Sequence, residues 1–494
     1  MTGLCARSAL FLAIAAPLLL PAQGYRLRLD SRMQAVSWRG VERDSIPRSQ
    51  AVPLPNGGFA SPAGYGLTCE VSWCHYFRAG DVLRGVPLVN VADLTVWGFG
   101  VPGLRMRLNA RHGTDLGDAA RWPGTEPELQ LIEGYLEYSH SQLSVLAGRQ
   151  LISSRLGAYG LDGARGAWRN PSLGVDLAGY AGWGLARGSV LPVTAPAVNP
   201  LDDFQPRDRQ LVVGAEVGWN RAGASARVEY RREVDPAVDY FVSERVAGSI
   251  GLRPLPRVSL TAGGAFDLSM NHWGSADATL SYMAPIGTVS IGARRYLPFF
   301  DLWTIWGAFS PVAFHAWHGA VTATPLDGVT LHARGERYQF EKSGAVSGLV
   351  QVEDHGWRVE SGVIWEPGST WTVAVGHQAE FGPGASSLGY DARFTWRPRE
   401  QLSVVAHAAT LRRPLELRFS DATLAIYGGE LEWRPSAQWR LGIGVTHVDE
   451  QRERPDAASI DWDQWRLSAR ITVLRGTNVD RPVLPRARRT GVTP

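Results

Sequence analysis

Long apolar runs are nearly absent from this chain. Apart from residues 9–20, no segment approaches the roughly 18 to 20 apolar residues that a helical membrane span requires, so a helix-spanning membrane protein is excluded. Charge of one sign is equally scarce. Fifty Lys and Arg stand against 47 Asp and Glu, a net charge of +3, which removes the basic excess that a nucleic-acid partner would need. Cysteine is rare, three in 494 residues. No nucleophile elbow or local Ser/His/Asp set can be assembled, so neither an enzyme nor a cofactor is expected.

What the chain has in quantity is glycine and aromatic rings: 55 Gly, 19 Trp and 14 Tyr, with 45% apolar and 20% charged residues. That is too apolar for disorder and unusually aromatic for a soluble enzyme. The N-terminus reads as a signal peptide over 1–24. Arg7 precedes a short apolar run, which exits through the small residues around Ala22 and Gly24. Export removes Cys5 and leaves Cys69 and Cys74, for which a disulfide is the default in an oxidising compartment.

The dominant period is two. Leu104, Met106, Leu108 and Ala110 alternate with Arg105, Arg107, Asn109 and Arg111, and Trp465, Leu467, Ala469, Ile471 and Val473 alternate with Arg466, Ser468, Arg470 and Thr472. Many runs last about ten residues, the length a tilted strand needs to cross a bilayer. Tight Pro/Gly turns close one end, for example Val101-Pro102-Gly103 and Pro285-Ile286-Gly287. Trp365, Trp371, Trp396, Trp433 and Trp439 flank such turns, as rings at headgroup level would. Longer polar connections, such as 186–209 and 451–459, close the other end. This predicts an all-β fold, a single transmembrane antiparallel up-and-down barrel of about 22 strands (range about 20 to 24). The barrel is expected over 25–474, with a first strand from Tyr25 to Trp38, a long first outer loop at 39–90, and a disordered basic periplasmic tail at 475–494. The strand count requires 296–312 to be mainly loop.

The hairpin from Leu143 ends Gly148-Arg149-Gln150 and is followed by Leu161-Asp162-Gly163-Ala164-Arg165, then Val175, Gly179, Tyr180 and Gly182. Over about forty residues this resembles large bacterial outer-membrane porins, including alginate-export-like and other substrate-export barrels. The resemblance implies the porin-like fold and a structural role for Gly148-Arg149-Gln150 and Asp162-Gly163.

Candidate functional residues follow from the alternation, because the inner face of a barrel sets selectivity. Arg105, Arg107, Arg111, Arg227, Arg231, Arg358, Arg466, Arg470, Glu229 and Glu360 fall on the predicted lumen face, where mixed signs predict cross-strand ion pairs. The apolar loop carrying Phe299, Phe300, Trp303, Trp306 and Phe309 is expected to fold into the lumen or to pack on a partner. Cys69 to His75 has the form C-x4-C-H, so a haem attachment stands beside the disulfide reading. His315 and His318 fall on opposite strand faces and cannot share a metal, whereas His332, His377 and His407 read as lumen polar groups.

About 22 strands enclose a lumen wide enough to need filling, and no plug precedes the first strand. Two functions remain. One is a passive outer-membrane channel for small solutes, occluded by 39–90 and by the aromatic loop. The other is a sheath resembling the barrel of porin-cytochrome conduits, which would hold a periplasmic multihaem cytochrome. Membrane lipid and the barrel-assembly machinery are partners under either reading.

Overall fold

The computed structural model describes residues 24–54, 57–117, 128–185, 210–234, 241–297, 313–341, 354–382, 387–412, 422–452 and 462–477. The first 23 residues, where a signal peptide is expected, the loop at Phe299 to Phe309, the long connections at 186–209 and 453–461, and the basic tail beyond 477 lie outside the described residues.

The first strand, β1 (Gly24–Pro47), is followed by four elements of a rim structure: β2 (Val52–Pro53), β3 (Phe59–Ala60), β4 (Gly66–Cys69) and β5 (Trp73–Gly85). The wall continues through β6 (Pro87–Trp97), β7 (Leu104–Asp115), β8 (Leu129–His140), β9 (Leu143–Ser154), β10 (Gly157–Asn170) and β11 (Val175–Gly184). Next come β12 (Leu211–Arg221), β13 (Ala224–Val234), β14 (Phe241–Leu255), β15 (Val258–Asp267), β16 (His272–Ala284) and β17 (Gly287–Tyr296). Then follow β18 (Phe314–Leu326), β19 (Val329–Phe340), β20 (His355–Trp365), β21 (Trp371–Phe381) and β22 (Ser387–Arg399). The chain completes the ring with β23 (Leu402–Arg412), β24 (Ala422–Ser436), β25 (Trp439–Arg452) and β26 (Trp462–Gly476).

Each wall strand pairs antiparallel with its neighbour in sequence, and β26 pairs with β1 from Arg26↔Gly476 to Ala35↔Leu467. The ring of β1 and β6 to β26 is therefore closed, a barrel of 22 strands. Closure satisfies every ladder hydrogen bond without leaving an edge. Across this seam Asp30 accepts hydrogen bonds from Arg470 at 3.0 Å and Thr472 at 2.5 Å, linking residues 440 and 442 apart in sequence.

The two faces separate as the alternation requires. Outward side chains such as Ile291, Ile443, Leu467 and Val217 remain more than half exposed to the surroundings, which only an apolar solvent tolerates over a whole surface. Trp365, Trp396, Trp433 and Trp439 form a ring of exposed aromatics at the short-turn rim. Trp183, Trp317, Trp357 and Trp465 form another toward the opposite rim. From Trp357 to Trp365 the strand rises about 27 Å. Tilted by about 35 to 45°, this spans about 20 Å along the barrel axis, most of an apolar band about 25 Å tall between aromatic girdles.

One segment departs from expectation. The sequence predicts a long loop between 39 and 90, yet β1 runs on to Pro47 and pairs with β5 from Val36↔Gly85 to Pro47↔Trp73. The same β1 pairs lower down with β6, from Gly24↔Trp97 to Met33↔Leu88. Two-residue alternation continues beyond the lipid band, so nothing in the backbone stops the ladder there. The resulting two-stranded ribbon stands on the long-loop rim. At its end Cys69 and Cys74 form a disulfide across the β4–β5 pair, and Tyr65 stacks on Tyr76 at 5.1 Å. Both thiols are consumed in this bond, so the thioethers of the haem reading have no sulfur to use. His75 lies 3.9 Å from Glu70.

Candidate functional site

The arginines expected at the lumen sit on the strand faces opposite the exposed apolar side chains, and most are paired there. Arg105 donates to Glu137 at 2.7 Å, and Arg107 lies between Asp93 and Glu133 at 3.4 and 3.2 Å. Arg227 meets Glu216 at 3.3 Å, and Arg470 closes the seam with Asp30. Arg358 donates to Glu380 at 2.7 Å and to Glu336 at 3.1 Å, with its guanidinium over the Tyr338 ring. Arg294, at 2.6 Å, joins the same Glu336. Cross-strand pairing of this kind neutralises the wall locally. Arg111 has no ion-pair partner among the described residues. Arg466 faces the lumen from β26, and Glu360 is exposed there opposite Arg334.

The histidines separate by parity. His318 points inward, its ring nitrogen 3.3 Å from the Thr279 hydroxyl, while His315 points outward to Glu341 at 2.8 Å. His332 and His407 occupy inward positions. His377 does not: it shares the outward face with Tyr390, ring centroids 5.0 Å apart, because its parity in β21 is that of exposed Val375.

The element that fills part of the lumen alternates in sequence like ordinary wall. Hairpin β9–β10 is joined at the long-loop end by Arg155 and Leu156 alone, and its tip curls inward over the inner face of β11 to β16. The Arg155 backbone N–H donates to Glu229 Oε2 at 3.0 Å, and the Arg155 guanidinium forms an ion pair with Asp277. Leu156 is buried against Ala247 and Ala265, small inward residues of β14 and β15. Ile152, Tyr159 and Leu161 bury against Val212 of β12, with Tyr180 of β11 alongside. Tyr159 also lies under the Arg231 guanidinium, 5.1 Å from its centroid. Beneath this cover Arg231 and Glu233 are 2% exposed and 3.2 Å apart, and Arg245 meets Asp267 at 3.2 Å in equal burial.

Two glycines of the porin-like motif make the bend. Gly148 has φ +127°, where a side chain is strained, and a Cβ there would lie 2.9 Å from the Tyr135 Cα. A Cβ on Gly163 would meet the Ala181 carbonyl and lie 2.6 Å from the Gly182 Cα. On the opposite face of the hairpin, one residue pair further along, Arg149 grips Asp162 in a two-pronged ion pair at 2.7 and 2.8 Å, and donates to the Leu131 carbonyl at 3.0 Å. The structural role implied for these residues is thus to hold the hairpin where it leaves the wall.

No family model matches the chain, and no curated protein does. Several solved structures are similar to it over most of its length. The siderophore receptor PirA from Pseudomonas aeruginosa is 12% identical, with a TM-score of 0.42, covering 91% of this chain and 80% of that one. A BenF-like porin from Pseudomonas fluorescens Pf-5 is 11% identical, with a TM-score of 0.39, covering 92% and 99%. OccK3 (OpdO) of Pseudomonas aeruginosa is 10% identical, with a TM-score of 0.35, covering 92% and 96%. The chain is similar to large barrels of this kind, and none of them assigns it a solute.

Proposed function

We propose that this chain is an outer-membrane channel for passive passage of small solutes, constricted by the inward β9–β10 hairpin. The short-turn rim, where both ends of the barrel seam lie, would face the periplasm, and the disulfide-capped ribbon would stand outside. One observation carries the reading. The hairpin covers one side of the lumen, while Arg105 and Arg334 on the remaining wall keep about half their side-chain surface open, at 54% and 49%. A lumen narrowed on one side and wetted on the other is suited to selective diffusion. Arginine in excess on the wetted side favours anions modestly.

The hairpin also weighs against the sheath alternative, because it occupies volume that a cytochrome partner would need. The alginate-export-like subtype rests on the short motif alone.

The purified protein in planar bilayers tests the proposal. Discrete conductance steps are expected, with a reversal potential shifted toward anions in a salt gradient. A folded, heat-modifiable barrel that passes no current would overturn it, and co-purification of a haem protein with closed barrels would favour the sheath.

A further inference from the structure

Beneath the hairpin tip lies a cavity of about 480 Å³, roofed by Ser154 and Arg155 and walled by β11 to β14. This volume lies within the range of about 300 to 1,000 Å³ typical of small-ligand sites. Two positive and two negative side chains reach it, Arg155 and Arg227 against Asp176 and Glu229, and each is already engaged. Arg155 pairs with Asp277, Arg227 with Glu216 at 3.3 Å, and Asp176 with Arg169 at 2.7 Å. Glu229 accepts the Arg155 N–H. The four charges cancel and three of them are each shared with an opposite charge, so the cavity presents no net charge to draw in an ion of either sign.

What the cavity offers instead is neutral hydrogen-bonding chemistry. Ser154, Ser225 and Ser249 supply hydroxyls and Asn220 an amide, so donors and acceptors line the wall together. Trp219 contributes backbone only, since its ring belongs to the exposed outward face. Among the described residues, therefore, no aromatic platform or apolar wall selects for a flat or greasy ligand. The geometry points to a binding subsite for a neutral polyhydroxyl solute, a saccharide of one or two rings or a polyol of similar size, through which the channel's cargo passes. The inference rests on the channel reading for its place in transport, and on the cavity alone for binding.

Gly218 provides the test. A Cβ built there meets nothing closer than the Asp176 Cβ at 3.5 Å, so Gly218→Leu can extend into the cavity without moving the wall. Saturation-transfer NMR on detergent-solubilised protein would use maltose, with gluconate and a polyethylene glycol of equal size as controls. Maltose should bind the wild type with signal at its hydroxyl-bearing ring protons, and the controls should not. Gly218→Leu should weaken maltose by about tenfold or more, as expected when a side chain occupies the ligand's volume. Equal signals from all three solutes, or maltose binding unchanged in a folded Gly218→Leu barrel, would overturn the subsite. In bilayers the wild type should show current interruptions by maltose that the variant lacks. Maltose binding without any conductance would leave the subsite standing and sink the channel. Conductance without maltose binding or interruption would do the reverse.

Discussion

Replacing both tip residues of the inward hairpin, Arg155→Ala with Leu156→Ala, should free the constriction while leaving the barrel intact. Two side chains and the Arg155 N–H bond to Glu229 hold the tip, and the double variant removes the two side chains. The Arg155–Asp277 pair is 25% and 40% exposed on its two sides. Solvent screening at such a site reduces its worth to about 0.5 kcal/mol. Leu156 is 7% exposed and packs on Ala247 and Ala265. Its truncation costs about 2 kcal/mol, the low end for a buried leucine, because the site opens onto the lumen and can refill with water. The sum of about 2.5 kcal/mol should raise the population of the displaced hairpin roughly 50- to 100-fold. Neither residue touches the ladder between wall strands, so heat-modifiable mobility on gels should not change. Single-channel recording provides the assay, with the fraction of time spent in a larger conductance level as the measured quantity. A folded double variant whose conductance levels and dwell times match the wild type would refute the reasoning, since the hairpin would then not be what narrows the pore.

Three further outcomes follow from other parts of the fold. Asp30→Asn should weaken the seam by about 2 kcal/mol, the scale of hydrogen bonds to a charged group, and lower the temperature at which the folded gel band disappears. An unshifted transition would mean that Arg470 and Thr472 do not depend on Asp30. Cys69→Ser with Cys74→Ser removes a short closure, separation 5, worth about 2 kcal/mol of local order. Limited proteolysis should then cut the ribbon end faster while the barrel core stays protected, and equal cleavage rates would count against a stapling role. At the long-loop rim, hydrogen bonding from Arg295 holds the Glu341 carboxyl below its usual value of 4.5, with His315 adding to it. A depressed folded value stabilises the protein above the ordinary carboxylate range, and the benefit is lost as pH falls through the lowered value. The stability difference between wild type and Glu341→Gln should therefore be flat above about pH 5 and shrink under acid, as measured by thermal melts across pH. A difference that grows as pH falls would contradict this.

The failed and successful expectations divide by range along the chain. Period-two alternation and turn chemistry are local, so Leu104 to Arg111 and Trp465 to Val473 show their faces without any knowledge of a neighbour, and the ion pairs of Arg105 and Arg358 follow once the faces are known. The ribbon was missed because a ladder continuing past the lipid looks, in sequence, like a polar loop with some alternation. The hairpin was missed because Leu143 to Gln150 alternates like any wall strand. Its signals were present but faint. Ile152, Tyr159 and Leu161 are apolar at lumen-facing positions, Gly148 and Gly163 flank them, and only Arg155 and Leu156 join the strands at a rim where most connections are longer.

By itself, the amino-acid order determined an antiparallel barrel of about 22 strands and the apolar side of most of them, because side-chain parity and turn chemistry are properties of consecutive residues. Only the tertiary structure decided what occupies the lumen. Arg155 finds Asp277 from 122 residues away, and Tyr159 covers an arginine three strands further around the ring. Contacts of that kind depend on the curvature of the whole cylinder, which brings distant inner faces within reach of one hairpin.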